Sequence, residues 1–470
     1  MAEVLTKDET KQAQPPVGSI NRRVLNLAWP VVLEQVLETA LGLADTALVG
    51  HYSNAAAAGV GTAVQIFSFL IVGLSALSTG VTILVAQAIG AGDQARANRL
   101  TKQAITWGII ISIPFAIAGA FGADWLIGLL GISDPEVARI GADYLRVVMS
   151  LVVFLTLLFV VGSALRGAGD SRTPMYVTLV ANVINIGAAW LLIYGNLGFP
   201  ALGPVGSAWA ATIGRGIALA IMIAILVLGG RLIHINTAGG WRPDFGALRD
   251  LMRLGLPNAG QQMLTQLAFI GLIIIVVPLG TSALAAHNII FNSFQLSFLP
   301  GFGFSIAATA LVGQAVGAGN EREARQFGNV ATLWGIAWMG LAGLLYFVFA
   351  PQVIALFLAD SPQAAAAVEA GTLPLRLLAV VQPFWAILFI QSGALEGAGI
   401  VLFPAITTVV GVYGAVLVSW LAVSQFGWGL TGVWGAFLLT APLGLLIGWR
   451  FQTARLVRPG SQTAGTLAGG

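Results

Sequence analysis

The chain has 470 residues, of which 57% are hydrophobic and only 9% charged, with a mean hydropathy of +0.89. A water-soluble protein carries roughly 25% charged residues, so the composition excludes a soluble globular fold. The net charge of +3 is spread over short connections, which excludes a nucleic-acid-binding surface, and the absence of cysteine excludes disulfides and thiolate-held metals.

Residues 1–23 are polar, contain Pro15-Pro16 and have no apolar signal-peptide core, so a cytoplasmic tail and a retained first span are expected. Twelve apolar runs follow, each near the length of about 20 residues that crosses a bilayer. They lie at about 24–50, 57–86, 101–122, 138–165, 173–194, 204–229, 248–278, 282–314, 327–350, 372–397, 401–424 and 431–453. Eighteen of the 22 Lys and Arg fall on the tails or on alternate connections, leaving Arg139, Arg146 and Arg376 toward the other side and Arg215 inside a span. By the positive-inside rule both termini are cytoplasmic.

The first span contains WPVVLEQVLETALGLADTALVG (29–50), with Glu34, Glu38 and Asp45 where hydrocarbon is expected. On a helix Glu38 falls about 40° and Asp45 about 20° from Glu34 around the axis, with about 16 Å from Glu34 to Asp45. The acids form one stripe, and an Asp at mid-membrane costs about 3 kcal/mol. The stripe therefore faces protein or a water-filled cavity. Two readings are open: polar glue between helices, or a cation site in which a desolvated carboxylate loads and releases protons. Arg215, in the sixth span, is the expected charge partner of the stripe, with snorkelling into a polar cavity as its alternative.

VAQAIGAGDQAR (85–96) returns as VGQAVGAGNERE (312–323), and SALRGAG (163–169) as GALEGAG (393–399). The offset stays between 227 and 230, so the chain is one long duplication. Each copy holds six spans, an even number. The predicted fold is an all-α polytopic membrane protein with twelve transmembrane helices in two parallel-repeat six-helix lobes, a layout that places a substrate site between the lobes. The expected boundaries are an N-lobe at 24–230, a cytoplasmic linker at 231–247, a C-lobe at 248–458 and a C-terminal tail at 459–470. In the second copy Glu34, Glu38 and Asp45 become Gln261, Thr265 and Leu272, and Arg215, at an offset of 226, becomes Ala441. The charges thus belong to the first lobe and are not demanded by the architecture. Glu396, which aligns with Arg166, is expected at an interface.

The seventh span carries Asn258, Gln262 and Gln266 at spacing four. The eighth carries His287, Asn292 and Gln295 among Phe291, Phe294, Phe298, Phe302 and Phe304. Amides beside aromatic faces suit amphiphilic organic molecules, cations included, and make Gln262, Gln266, Asn292, Gln295, Phe291 and Phe294 a candidate substrate cavity. Ordinary bundle packing is the alternative. His287 is expected to be structural.

In order and spacing, ADTALVG in the first span, VAQAIGAG and VGQAVGAG after the second and eighth, LRGAGD after the fourth and AAHN at the eighth resemble the multidrug and toxic compound extrusion (MATE) family from about Val24 to Arg455. The resemblance implies a V of two lobes in a bacterial cytoplasmic (inner) membrane. It implies cation-coupled export of amphiphilic, often cationic, compounds by alternating access, functional as a monomer and with no cofactor or resident metal. It assigns Asp45 as the key cation-binding carboxylate, with Asn185 and Thr212 in the same site.

The sequence departs from the pattern where a second N-lobe Asp becomes Ala189. C-lobe acids are replaced near Thr265 or Gln266 and near Trp385, which resembles the DinF-type subgroup. With the second carboxylate gone, a proton is expected as the coupling ion in place of sodium, relayed by Glu34 and Glu38. A flippase for lipid-linked saccharides is the runner-up. An intramembrane enzyme is remote, since the sequence carries neither H-E-x-x-H nor G-x-S-x-G.

Overall fold

The computed structural model describes residues 17–228, 233–235, 239–357 and 364–457. Most of the expected N-terminal tail, all of the C-terminal tail and part of the linker lie outside the described residues.

The first repeat runs α1 (Val17–Tyr52), α2 (Asn54–Gly90), α3 (Gln94–Gly128), α4 (Pro135–Ser150), α5 (Val152–Gly167), α6 (Arg172–Tyr194) and α7 (Val205–Leu228). The second runs α8 (Phe245–Val276), α9 (Thr281–Gly317), α10 (Glu321–Val348), α11 (Ala350–Phe357), α12 (Ala364–Gly397), α13 (Leu402–Ser424), α14 (Gly429–Gly435) and α15 (Ala441–Thr453). Among the described residues there is no strand. Among the described residues eleven helical stretches are long and apolar enough to cross a membrane, and α4 with α5, bent by 49°, makes a twelfth if the pair is one span. The expected straight span at 138–165 is thus broken at Leu151, which leaves helical geometry although the run carries neither proline nor glycine there. The last span is also irregular, with a 3₁₀ stretch over Ala436–Thr440 between α14 and α15. The duplication extends to the helix starts. Asp93 caps α3 by accepting from Arg96 N at 2.8 Å, and Asn320 caps α10 by accepting from Glu323 N at 3.0 Å, each relieving one unpaired N–H of a helix terminus.

The two repeats exchange the ends of their first helices. Ile20, Val24, Leu27 and Ala28 of α1 are buried in the apolar core of the second repeat, whereas Leu251 of α8 is buried in a core of the first. The contacts are reciprocal, since a side chain at Gly303 of α9 would strike Val32 and Ala28 of α1, and one at Gly255 of α8 would strike Ala76 of α2. Ala28 and Gly255, like Ala76 and Gly303, stand 227 residues apart. The same exchange recurs at the helix ends. Gln87 Nε2 of α2 donates to the Gly397 carbonyl at 3.0 Å, and Gln314 Nε2 of α9 donates to the Gly167 carbonyl at 2.9 Å. Gly90 meets the Gln314 backbone and Gly317 the Gln87 backbone so closely that neither position has room for a Cβ. We call the face where α1 begins the terminal face. There the repeats join in a seam with twofold pseudosymmetry.

Candidate functional site

The acidic stripe lies where α1 packs on α6 of its own repeat, with α7 reaching it through Ser207. Helices α1 and α6 run in parallel and are tied at three levels: Thr178 Oγ1 to Glu34 Oε1 at 3.4 Å, Asn182 Nδ2 to the Leu37 carbonyl at 2.8 Å, and Tyr194 OH to the Leu48 carbonyl at 2.7 Å. The partners differ in number by 144 to 146. At that offset Ala189, fully buried, stands level with Asp45, and Asn185 about one turn nearer the terminal face.

Asp45 is half-buried and accepts a 2.8 Å hydrogen bond from Ser207 Oγ of α7. Helix α7 runs against α1. Thr212 and Arg215 therefore lie about 7.5 Å and 12 Å from Ser207 along the axis toward the terminal face, which brings Arg215 to the depth of Glu38. The Arg215 guanidinium carbon sits 5.8 Å over the Phe67 ring. Among the described residues no ion pair joins Arg215 to any acid of the stripe. The side chain thus takes an aromatic seat beside the stripe in place of the direct charge partner expected of it. Thr212 Oγ1 donates to the Ala208 carbonyl of its own helix at 2.8 Å, and Asn185 is buried with no hydrogen-bond partner for Oδ1.

Glu34 has a different partner. Arg166 Nη1 lies 3.2 Å from both of its carboxylate oxygens, and both side chains are largely buried. Glu38, one turn on, is exposed. Arg166, Ser207 and Tyr144 were not among the expected site residues. Arg166 had a legible signal, an arginine at the inner end of the LRGAG span. Ser207 and Tyr144 had none, because serine is common in spans and the buried Tyr144 reads as core.

The polar row of α8 faces the first repeat. Gln266 Nε2 reaches Ser68 Oγ at 3.2 Å, and Gln262 Nε2 reaches Ser75 Oγ at 3.5 Å and Asn258 Oδ1 at 2.6 Å. On α9, Asn292 and Gln295 are exposed, whereas Phe294 is buried against Trp385 with ring centroids 4.7 Å apart. Phe291 packs partly buried on Phe269 at 5.1 Å. Four of the six candidate cavity residues therefore present amides, while Phe294 packs into the core and Phe291 is partly buried. His287 is buried against Trp434. A cavity of about 660 Å³ opens on the terminal face, lined by residues such as Arg22, Asn26, Asp170, Arg172 and Gln314, away from Asp45. Among the described residues no group of three or more His, Cys, Asp or Glu could hold a metal ion.

The MatE family model matches residues 30–191 and again 257–421, well over half of the chain, with the two matches starting 227 residues apart. The chain belongs to the MatE family. A probable multidrug resistance protein NorM from Thermotoga maritima is 32% identical over 419 residues, covering 89% of this chain and 89% of that protein. Another from Rhodopseudomonas palustris is 31% identical over 449 residues, covering 92% and 91%. Among solved structures, a MATE in complex with MaL6 superposes with a TM-score of 0.84 at 23% identity, covering 92% of this chain and 96% of that one. As a MatE member the chain is a multi-pass membrane transporter and not an enzyme.

Proposed function

We propose that this MatE protein is a proton-coupled antiporter that exports amphiphilic, often cationic, organic compounds by alternating access between its two lobes. The relatives named multidrug resistance proteins support the substrate class. The bacterial relatives support a cytoplasmic membrane, and the distribution of Lys and Arg supports both termini inside. The observation that carries the reading is the setting of Asp45. Among the described residues it has a single neutral donor, Ser207, while Ala189 stands at its level on α6 and Arg215 lies at the depth of Glu38. A proton asks only for one carboxylate whose surroundings change between states. Sodium asks for several oxygens in place of its water, and a nearby cation opposes it. Absence of C-lobe acids at the family positions supports the DinF-type subgroup.

Closure of the seam on the terminal face corresponds to the state open to the opposite side. In the other state the α8 amides would part from α2, and Gln262, Gln266, Asn292 and Gln295 would line the substrate path, backed by Phe291 and Phe294. The monomer is complete in this scheme, since both lobes come from one chain. The test is efflux of fluorescent cationic dyes from proteoliposomes under an imposed proton or sodium gradient. The proton gradient alone drives efflux, and Asp45→Asn, nearly isosteric and unable to ionise, abolishes it. Efflux driven by sodium with the proton gradient collapsed, or wild-type efflux by well-folded Asp45→Asn, overturns the reading.

A further inference from the structure

Glu396, at the terminal-face end of α12, is a buried carboxylate that the scheme above does not use. It is 7% exposed, and Asn258 Nδ2 donates to its Oε1 at 2.9 Å. Asn258 belongs to the seam. Its Oδ1 accepts from Gln262 Nε2 at 2.6 Å and lies 3.5 Å from Thr79 Oγ1 of α2, in the other repeat. The residue after Glu396 is Gly397, whose carbonyl takes the Gln87 side chain across the seam. Glu396 is therefore joined to the opposite lobe on both sides, through its side chain by Asn258 and through the chain by Gly397.

Among the described residues no cation is paired with it. Helices α2, α11 and α14 carry no charged or titratable residue. On α10, Arg325 holds Glu321 and the Phe451 and Ala454 carbonyls, and Glu323 pairs with Arg23. Arg450 of α15 lies over Phe403, Arg249 and Arg253 of α8 are exposed, and Asp250 is an exposed acid that adds no positive charge. His287 of α9, Tyr346 of α10, and Glu369 and Arg376 of α12 belong to the far ends of their helices, and Tyr413 of α13 is exposed. Among the described residues Glu396 makes no ion pair. A buried carboxylate with no cation beside it is costly, whereas the neutral acid carries no charge to bury. In the first repeat the aligned position is Arg166, which has Glu34 within 3.2 Å. The two halves thus solve the same position differently, with an ion pair in one and a lone acid in the other.

We propose that Glu396 is a second proton-binding site, in the C-lobe, and that its protonation is required to close the terminal-face seam. When the seam parts, α2 withdraws, water reaches Glu396, and the proton leaves to the vestibule on that side. Rebinding of a proton then permits reclosure. The proposal deepens the proton-coupled reading, and the following experiment separates the two.

The chain has no cysteine, so Ala91→Cys and Ala318→Cys, both exposed and 227 residues apart at the ends of α2 and α9, can carry a spin-label pair across the seam of the full protein in lipid nanodiscs. In the otherwise wild-type protein the short, closed distance dominates at acid pH, and a longer distance grows in as pH rises. Glu396→Gln, a neutral mimic, loses this pH dependence and stays closed. Glu396→Ala also loses it, which guards against a defect peculiar to glutamine. Asp45→Asn keeps it. If Glu396→Gln and Glu396→Ala open with pH as the wild type does, or if the wild type shows no pH response, the proposal is overturned. Loss of the response in Asp45→Asn with retention in both Glu396 variants also overturns it and assigns the proton switch to the N-lobe. Loss in both Glu396 variants supports the proposal even where the gradient assay fails to show proton-driven efflux.

Discussion

Arg166 holds Glu34 with one guanidinium nitrogen placed 3.2 Å from each carboxylate oxygen, across 132 residues of sequence and within a largely buried setting. The pair fastens α5 to α1 at the terminal-face end of the acidic stripe. It neutralises the first acid of that stripe, so Glu34 and Glu38 differ in kind although they are one turn apart.

Removing one partner leaves the other as an uncompensated charge. Arg166→Gln is expected to lower stability by about 3–5 kcal/mol, read as a drop in thermal unfolding in detergent. The double variant Glu34→Gln/Arg166→Gln recovers most of that loss. Equal destabilisation by the single and double variants would show that the pair is not coupled.

Ser207 is the only side chain that hydrogen-bonds Asp45 among the described residues. A bond to a charged group is worth about 1.5–3 kcal/mol, so Ser207→Ala is expected to slow proton-driven efflux by roughly tenfold or more. Ser207→Thr, which keeps the hydroxyl, retains most of the rate. Dye efflux from proteoliposomes at matched protein density measures both.

Glu38 is exposed where Asp45 is half-buried, and a proton can pass along the stripe through water between them. Glu38→Gln is expected to slow efflux or move its pH optimum without eliminating it. Complete loss in Glu38→Gln together with normal efflux in Asp45→Asn would reverse their roles.

Ala189 is fully buried at the depth of Asp45. Ala189→Asp restores a second carboxylate facing the same level, and sodium is expected to stimulate efflux at constant pH in this variant and not in the wild type. Unchanged sodium response with intact folding would show that the Arg215 charge decides the site.

Gly90 and Gly317 admit no Cβ because each lies against the other lobe's backbone, at Gln314 and at Gln87. Gly90→Leu or Gly317→Leu is expected to hold the terminal face open. A cysteine placed at Ala168, 2% exposed beside the Gln314 contact, then reacts with a membrane-impermeant maleimide several times faster than in the parent. Unaltered reactivity would mean that the seam does not depend on this close approach.

The membrane class, the twelve spans, the duplication and the alignment of Glu34, Glu38 and Asp45 on one face were legible from residues alone. Each depends on apolar length, on a period of 3.6 or on self-similarity, all of which are properties of contiguous sequence. The role of Gly90 was not legible, since a glycine inside an apolar helix looks the same whether it faces lipid or another backbone.

What only the tertiary structure decided is which group each of these residues meets. Arg215 sits over Phe67 while Arg166 takes Glu34, Asp45 is served by Ser207, Phe294 turns into the core while Gln295 is exposed, and the span at 138–165 breaks at Leu151. The partners here are 132 to 162 residues apart for the two acids, and such pairings follow from how helices rotate and stack against one another. Periodicity sets the relative angles of residues on one helix, but the absolute rotation of that helix in the bundle comes from the packing of its neighbours.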